Sequence, residues 1–142
     1  MSNIATRSDI ERLESAILQG PQVDLNTDQI VNGKVAARTI RIPAGTVLTG
    51  AVHNKDSVNI VCGDITVTTD NGPQRFIGYH VLPSLAGTKR AGVAHEDTVW
   101  TTLWHTELTD QAAIEDEMTD DSTRLQNRQA ALPNITLEAL EN

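Results

Sequence analysis

Four histidines, His53, His80, His95 and His105, are the side chains of this sequence best suited to hold a divalent ion. A catalytic metal generally takes three or more neutral imidazole or carboxylate ligands, so what matters is whether the fold gathers them. His53 stands just ahead of an apolar, β-branched run broken by a glycine, "SVNIVCGDITV" over 57–67. Cys62 is the only cysteine, which excludes an internal disulfide and a cysteine-based zinc site within one chain. Its apolar run reads as the setting of a buried structural thiol. Nucleophilic chemistry has less to work with: Ser57 and Ser84 lie in no Gly-x-Ser-x-Gly elbow, and no glycine-rich phosphate loop follows a strand.

The elements that must position these groups are short strands. From Val23 to about His105, β-rich runs alternate with turn residues: "AARTIRI", a break at Pro43-Ala-Gly45, "TVLTGAVH", "SVNIVC", "DITVTT", the turn "DNGP" at 70–73, "QRFIGYHVL", a loop "PSLAGTKRAG" and "DTVWTTLWH". Strands this short, with no helices between them, predict an all-β antiparallel sandwich or jelly-roll barrel. Ahead of them, "SDIERLESAILQG" has capping-box spacing from Ser8 to Glu11, an apolar stripe of Ile10, Leu13, Ile17 and Leu18, and a Gly20-Pro21 stop. A helix of about eleven residues is unstable alone, so the stripe must dock on the body or on another chain. Three regions follow: an N-terminal helical arm (1–22), a β domain (23–105) and an acidic, partly helical tail (106–142). In the tail, Thr109 is expected to cap a segment carrying Ile114 and Met118, and "STRLQNRQAAL" is expected to form a second short helix.

Charge sharpens this division. Residues 1–105 carry nine Lys/Arg against ten Asp/Glu, whereas residues 106–142 carry two against nine, so the tail supplies −7 of the net −8. That balance argues against nucleic acid as a partner, since phosphates call for a basic face. The apolar runs fall well short of the roughly 18 to 20 residues of a membrane span. The opening "MSNIATRSDIERLE" lacks the basic-then-apolar order of a signal peptide, so neither a membrane nor the secretory route is expected.

The stretch "IPAGTVLTGAVHNKDSVNIVCGDITV" resembles the first motif of the cupin superfamily, in which a His-x-His pair and a following glutamate bind a divalent metal inside a small barrel. Pro43, Gly45, His53 and Gly63 match that pattern, whereas Lys55 replaces the second histidine and the glutamate position falls near Asn59. The second motif, Pro-x-Gly-x-x-His, is displaced: "PSLAGTKRAG" keeps Pro83 and Gly87, but Gly-x-x leads to Arg90, with Lys89 beside it. The resemblance therefore implies a cupin-like jelly roll with degenerate metal positions and no cofactor. His53, His80, His95 and His105 are its residual candidate ligands. Lys55, Lys89 and Arg90 could instead form an anion or sugar pocket in the barrel mouth.

The string "LAGTKRAGVAHEDTVWTTLWHTELTDQAAIEDEM", residues 85–118, is similar to small cupin-like proteins of tailed bacteriophages. Within it, Glu96 and Asp97 are placed to satisfy Lys89 and Arg90 across the loop. Trp100 and Trp104 fall on one face of a strand, either as core or as a subunit contact, and interfaces favour Trp. The resemblance implies a non-catalytic structural protein of a virion, a capsid decoration or tail component made in the host cytoplasm. Its expected partners are other virion proteins and further copies of itself, through Ile10, Leu13, Ile17, Trp100, Trp104, Ile114 and Met118. The alternatives are a metal-dependent cupin enzyme and a carbohydrate- or anion-binding module.

Overall fold

The computed structural model describes residues 4–120 and 134–136, so the helix expected over "STRLQNRQAAL" lies outside the described residues. The N-terminal helix α1 (Arg7–Ile17) starts two residues earlier than the Ser8–Glu11 spacing suggested. Thr6 is the cap: its hydroxyl accepts from the Asp9 amide at 3.1 Å, and the Asp9 carboxylate accepts from the Thr6 amide at 2.8 Å. The two candidate boxes have the same spacing, and the earlier start adds an Arg7–Glu11 pair one turn apart on the solvent side.

Eight strands follow: β1 (Asp28–Asn32), β2 (Val35–Ile42), β3 (Thr46–Thr49), β4 (Ser57–Thr69), β5 (Gly72–Ser84), β6 (Ala91–Ala94), β7 (Thr98–His105) and, after helix α2 (Gln111–Met118), β8 (Asn134–Thr136). Every described pairing is antiparallel. β1 and β2 are joined by Gly33-Lys34, both at positive φ, the two-residue turn whose twist matches the strands it connects. The "DNGP" signal likewise marks the tight β4–β5 turn, where Thr69 pairs with Gly72.

Strand β4 holds the barrel together. β5 runs along its whole length on one edge, while the other edge serves two strands in succession, β7 at Val58–Cys62 and β6 at Ile65–Val67. One wall is therefore β5-β4-β7-β2-β1 and the other is β5-β4-β6-β3-β8, closing a jelly-roll barrel. The change of partner occurs at Gly63. A Cβ there would lie 2.5 Å from Thr98 Oγ1 and 2.7 Å from Thr98 Cα, so only glycine lets β7 leave and β6 enter. Gly63→Ala is expected to destabilise the fold by about 1–3 kcal/mol through this overpacking, measured by urea denaturation. An unchanged midpoint would mean that the corner relaxes freely.

The interior is built from inward-facing positions of both walls, with Leu25, Ile42, Leu48, Val61, Ile65, Val67, Phe76 and Ala94 as its centre. α1 lays Ile17 and Leu13 on Val47 of β3 and Val93 of β6. α2 lays Ile114 and Met118 on Ala36 and Trp104. These contacts correct the expected interface. Ile10, Ile17, Trp104, Ile114 and Met118 are all buried within this chain, and Leu13 and Trp100 are half-buried against its core. The reason is parity. Trp100 opposes Val61 and Trp104 opposes Ala36, so the tryptophan face of β7 is the concave one. Both helices then close over apolar surface of their own chain.

Candidate functional site

Inside the barrel is a cavity of about 150 Å³. Ile40 and Ile42 of β2, Leu48 of β3 and Ile65 and Val67 of β4 give it apolar walls, and α2 contributes Glu115 and Met118. Its polar side chains sit at inward positions of strands or in the loops feeding them: Arg38, His53, Asn59, Ser84, Arg90 and Thr102. Asn59, buried in β4, is fully engaged. Its amide donates to Ser84 Oγ at 2.7 Å, and its carbonyl accepts from Trp100 Nε1 at 3.0 Å and Thr102 Oγ1 at 2.9 Å. This small network fixes the indole of Trp100 and one end of the cavity.

Two arginines face the cavity in different electrostatic states. Arg38 donates to a Glu115 carboxylate oxygen at 2.9 Å, a pair almost wholly out of water. Arg90 donates to Ser84 Oγ at 2.7 Å and to the Thr68 carbonyl at 3.3 Å and makes no ion pair among the described residues. Burial lowers its pKa from the ordinary arginine value, against a weaker opposite pull from Asp70. His53 lies near both. Burial first, then repulsion from Arg38 and Arg90, pulls its pKa down to about 4, so the imidazole is neutral at neutral pH.

This is not the donor set of a divalent metal. Among the described residues no three His, Cys, Asp or Glu side chains come together. The four histidines are dispersed. His80 packs edge-on against Phe76 and bonds the Ile77 carbonyl, His95 bonds Thr66 Oγ1, and His105 lies 3.1 Å from Glu107. His53 alone reaches the cavity, and two guanidiniums beside it would repel a cation. The expected basic pocket is redrawn as well. Lys55 turns away to Glu117 at 3.1 Å, and Lys89 is buried against Glu14 at 2.7 Å and the Gly50 carbonyl at 2.9 Å. Neither lines the cavity, and neither Lys89 nor Arg90 meets Glu96 or Asp97. The Asp97 carboxylate accepts from the Ala44 amide instead. Of the three residues only Arg90 belongs to the cavity, and Arg38 joins it. Arg38 was visible in "AARTIRI" as the one charge on the parity of Ile40 and Ile42.

The opposite surface of the same wall is the second candidate. On β5, Ile77, Tyr79 and Val81 point outward, 64, 66 and 54% exposed. They stand opposite Asp64, Cys62 and Ile60 of β4, and the apolar face continues through Val99 and Leu103 of β7 to Val35 of β2 and Ile30 of β1. Cys62, expected in the core, is exposed on this face, because strand alternation puts Val61 inside and its neighbour outside. Arg41 and Asp28 are charges at one corner, and they pair with each other at 2.8 Å.

The sequence matches no family model and no curated protein. Its structure is similar to protein NMB1881 from Neisseria meningitidis, with a TM-score of 0.51 and 10% identity over 61% of this chain and 89% of that one. A cupin-2 domain containing protein from Shewanella frigidimarina aligns with a TM-score of 0.47 and 10% identity, covering 72 and 95%. An RmlC-like cupin family protein from Methanocaldococcus jannaschii aligns with a TM-score of 0.46 and 16% identity, covering 56 and 78%. The fold is an antiparallel jelly-roll barrel, and at these identities the likeness concerns fold alone.

Proposed function

We propose that this chain is a non-catalytic assembly protein, a capsid decoration or tail component of a phage particle, that packs copy against copy through the outer face of the five-stranded wall. The face itself carries the reading. With strands about 4.8 Å apart and residues about 3.3 Å apart, its footprint is roughly 500 Å². That is at the upper end of the apolar patches monomers expose, and with its rim it approaches the roughly 800 Å² that each partner gives to a standard interface.

A second copy suits this face better than a charged partner does. The chain carries a net charge of −8, yet the charges on this face are paired within the chain, Arg41 with Asp28 at one corner and Arg75 with Asp64 beside Ile77, so two copies meet there with little net charge to oppose them. The non-catalytic part is supported by His53 standing between two arginines where a metal centre would be needed. The phage part rests on the resemblance of residues 85–118. No helix among the described residues is long and apolar enough to cross a membrane.

Light scattering on the purified chain tests the assembly. The wild type is expected to be a homo-oligomer, and Tyr79→Lys with Val81→Lys is expected to give a folded monomer, weakening association at least 100-fold as two like charges enter the contact. A monomeric wild type, or an undisturbed oligomer in the double variant, would overturn the reading. Quantitative peptide mass spectrometry on density-banded particles tests the location, and absence of the chain from them would remove the virion role.

A further inference from the structure

We propose that the barrel interior, in place of a metal centre, is a binding site for a small organic monocarboxylate, received by Arg90 and the indole N–H of Trp104. The inference goes beyond the assembly role, which the opposite face of the wall carries.

Three independent features of the cavity point to this ligand. The first is an unanswered charge. Arg90 spends hydrogen bonds on Ser84 and Thr68, but no carboxylate pairs with it among the described residues, and burial of an unpaired guanidinium is costly. The group has five N–H donors in a planar fork, so it retains the means to bind a carboxylate.

The second is an unanswered donor. Trp104 lines the cavity at 4% exposure, and its Nε1–H is buried with no acceptor among the described residues. Buried indole N–H groups ordinarily find one. The contrast within the same strand is informative, because Trp100 has its acceptor in Asn59.

The third is size and wall chemistry. A cavity of about 150 Å³ lined by Ile40, Leu48, Ile65 and Val67 compares with the engineered apolar cavity of that volume that admits benzene. That corresponds to an acid with a short branched or cyclic apolar body.

Charge counting selects among anions. Arg38 is already neutralised by Glu115 at 2.9 Å, so one positive charge remains for the ligand. A single carboxylate matches it. A phosphate dianion would add uncompensated charge among the apolar walls, and a sugar would leave Arg90 unpaired. A divalent cation would face two guanidiniums with one imidazole to hold it.

The experiment is a titration of the ¹⁵N-labelled full chain with isovalerate and with benzoate, following the two tryptophan indole resonances by NMR. The neutral amides isovaleramide and benzamide serve as controls, and Zn²⁺ is titrated separately. The expected result is a saturable shift of the Trp104 indole with at least one acid and not with its amide, while the Trp100 indole moves less. Arg90→Met is expected to weaken binding tenfold or more. Trp104→Phe, which keeps the ring and deletes the donor, is expected to weaken it about tenfold, read from the backbone amides around the cavity, and it decides the matter should Arg90→Met not fold. No saturable shift, equal shifts with acid and amide, or stoichiometric Zn²⁺ uptake at His53 would each overturn the proposal.

Discussion

Lys89→Met is expected to lower the free energy of unfolding by about 3–5 kcal/mol, the cost of leaving one member of a buried ion pair without its partner. The side chains of Lys89 and Glu14 are only 5 and 9% exposed and meet at 2.7 Å. Glu14 also accepts from Thr49 Oγ1 at 2.6 Å, and Lys89 also donates to the Gly50 carbonyl at 2.9 Å. Removing the ammonium therefore takes away the positive charge that faces the buried Glu14 carboxylate between α1 and β3. Removing both charges together should be much milder. The double variant Glu14→Leu with Lys89→Met fills the space with apolar volume and is expected to recover most of the loss, because a buried pair gains little over a well-packed apolar one. Urea denaturation of the three proteins checks this. A loss under about 1 kcal/mol in the single variant would mean that Glu14 swings into water when unpaired.

Acid is expected to weaken the fold well above the range in which carboxylates titrate. His53 has a folded-state pKa of about 4 against 6.5 for an unperturbed histidine. The unfolded chain therefore takes up a proton that the folded chain refuses. The stability tied to this group is complete above about pH 6.5, declines as pH falls, and is lost by about pH 4, for a total of about 3 kcal/mol. The groups facing the ring act in one direction: Arg38 and Arg90 both repel its proton, and the Glu115 carboxylate is engaged by Arg38. Asp64, held low by Arg75, and Glu117, held low by Lys55, contribute stability that starts to fall only as pH enters the ordinary carboxylate range and is gone below their own lowered values. The interval between about pH 6.5 and 5 thus isolates His53. Denaturation at pH 7, 5 and 4 should show a decline in the wild type that His53→Gln largely removes. Parallel pH profiles for the two proteins would show that the imidazole reaches solvent.

The sequence made the architecture legible because β-strand alternation and turn residues are local signals. The runs at 36–42 and 98–105 and the Asp70-Asn71 turn appear where the chain places them, whereas the helix begins two residues early, the runs on either side of Gly63 are one strand, the run from Thr46 ends at Thr49, and β6 begins inside the stretch expected as a loop. What alternation cannot reveal is which face of a strand is concave. Trp100 and Trp104 were on one side together, but only the pairing of β7 with β2 and β4 makes that side the interior. The same ambiguity hid Cys62, whose apolar neighbours Val58 and Ile60 share the outer face with it. The cap of α2 is Asp110 rather than Thr109, a one-residue ambiguity between two capable side chains.

The cavity was harder to read because its charges come from distant segments. Arg38 and Glu115 are 77 positions apart, and Lys89 meets Glu14 across 75. Proximity in sequence suggested that Lys89 and Arg90 would turn to Glu96 and Asp97. The fold instead gives Lys89 to α1 and Arg90 to the barrel interior, because consecutive residues entering β6 point to opposite sides.

Strand β4 gives two surfaces to one stretch of chain: Val58, Ile60 and Cys62 face outward, while Asn59 and Val61 face the interior. Substitutions on one side can vary independently of the other, since alternate side chains do not touch the same neighbours. A change of length cannot. One residue inserted between Ser57 and Gly63 would carry Asn59 to the exterior, deprive Trp100 and Thr102 of their acceptor, and turn the apolar patch into the barrel. Over these few positions the spacing of the chain, more than the identity of any one residue, decides which surface each side chain serves.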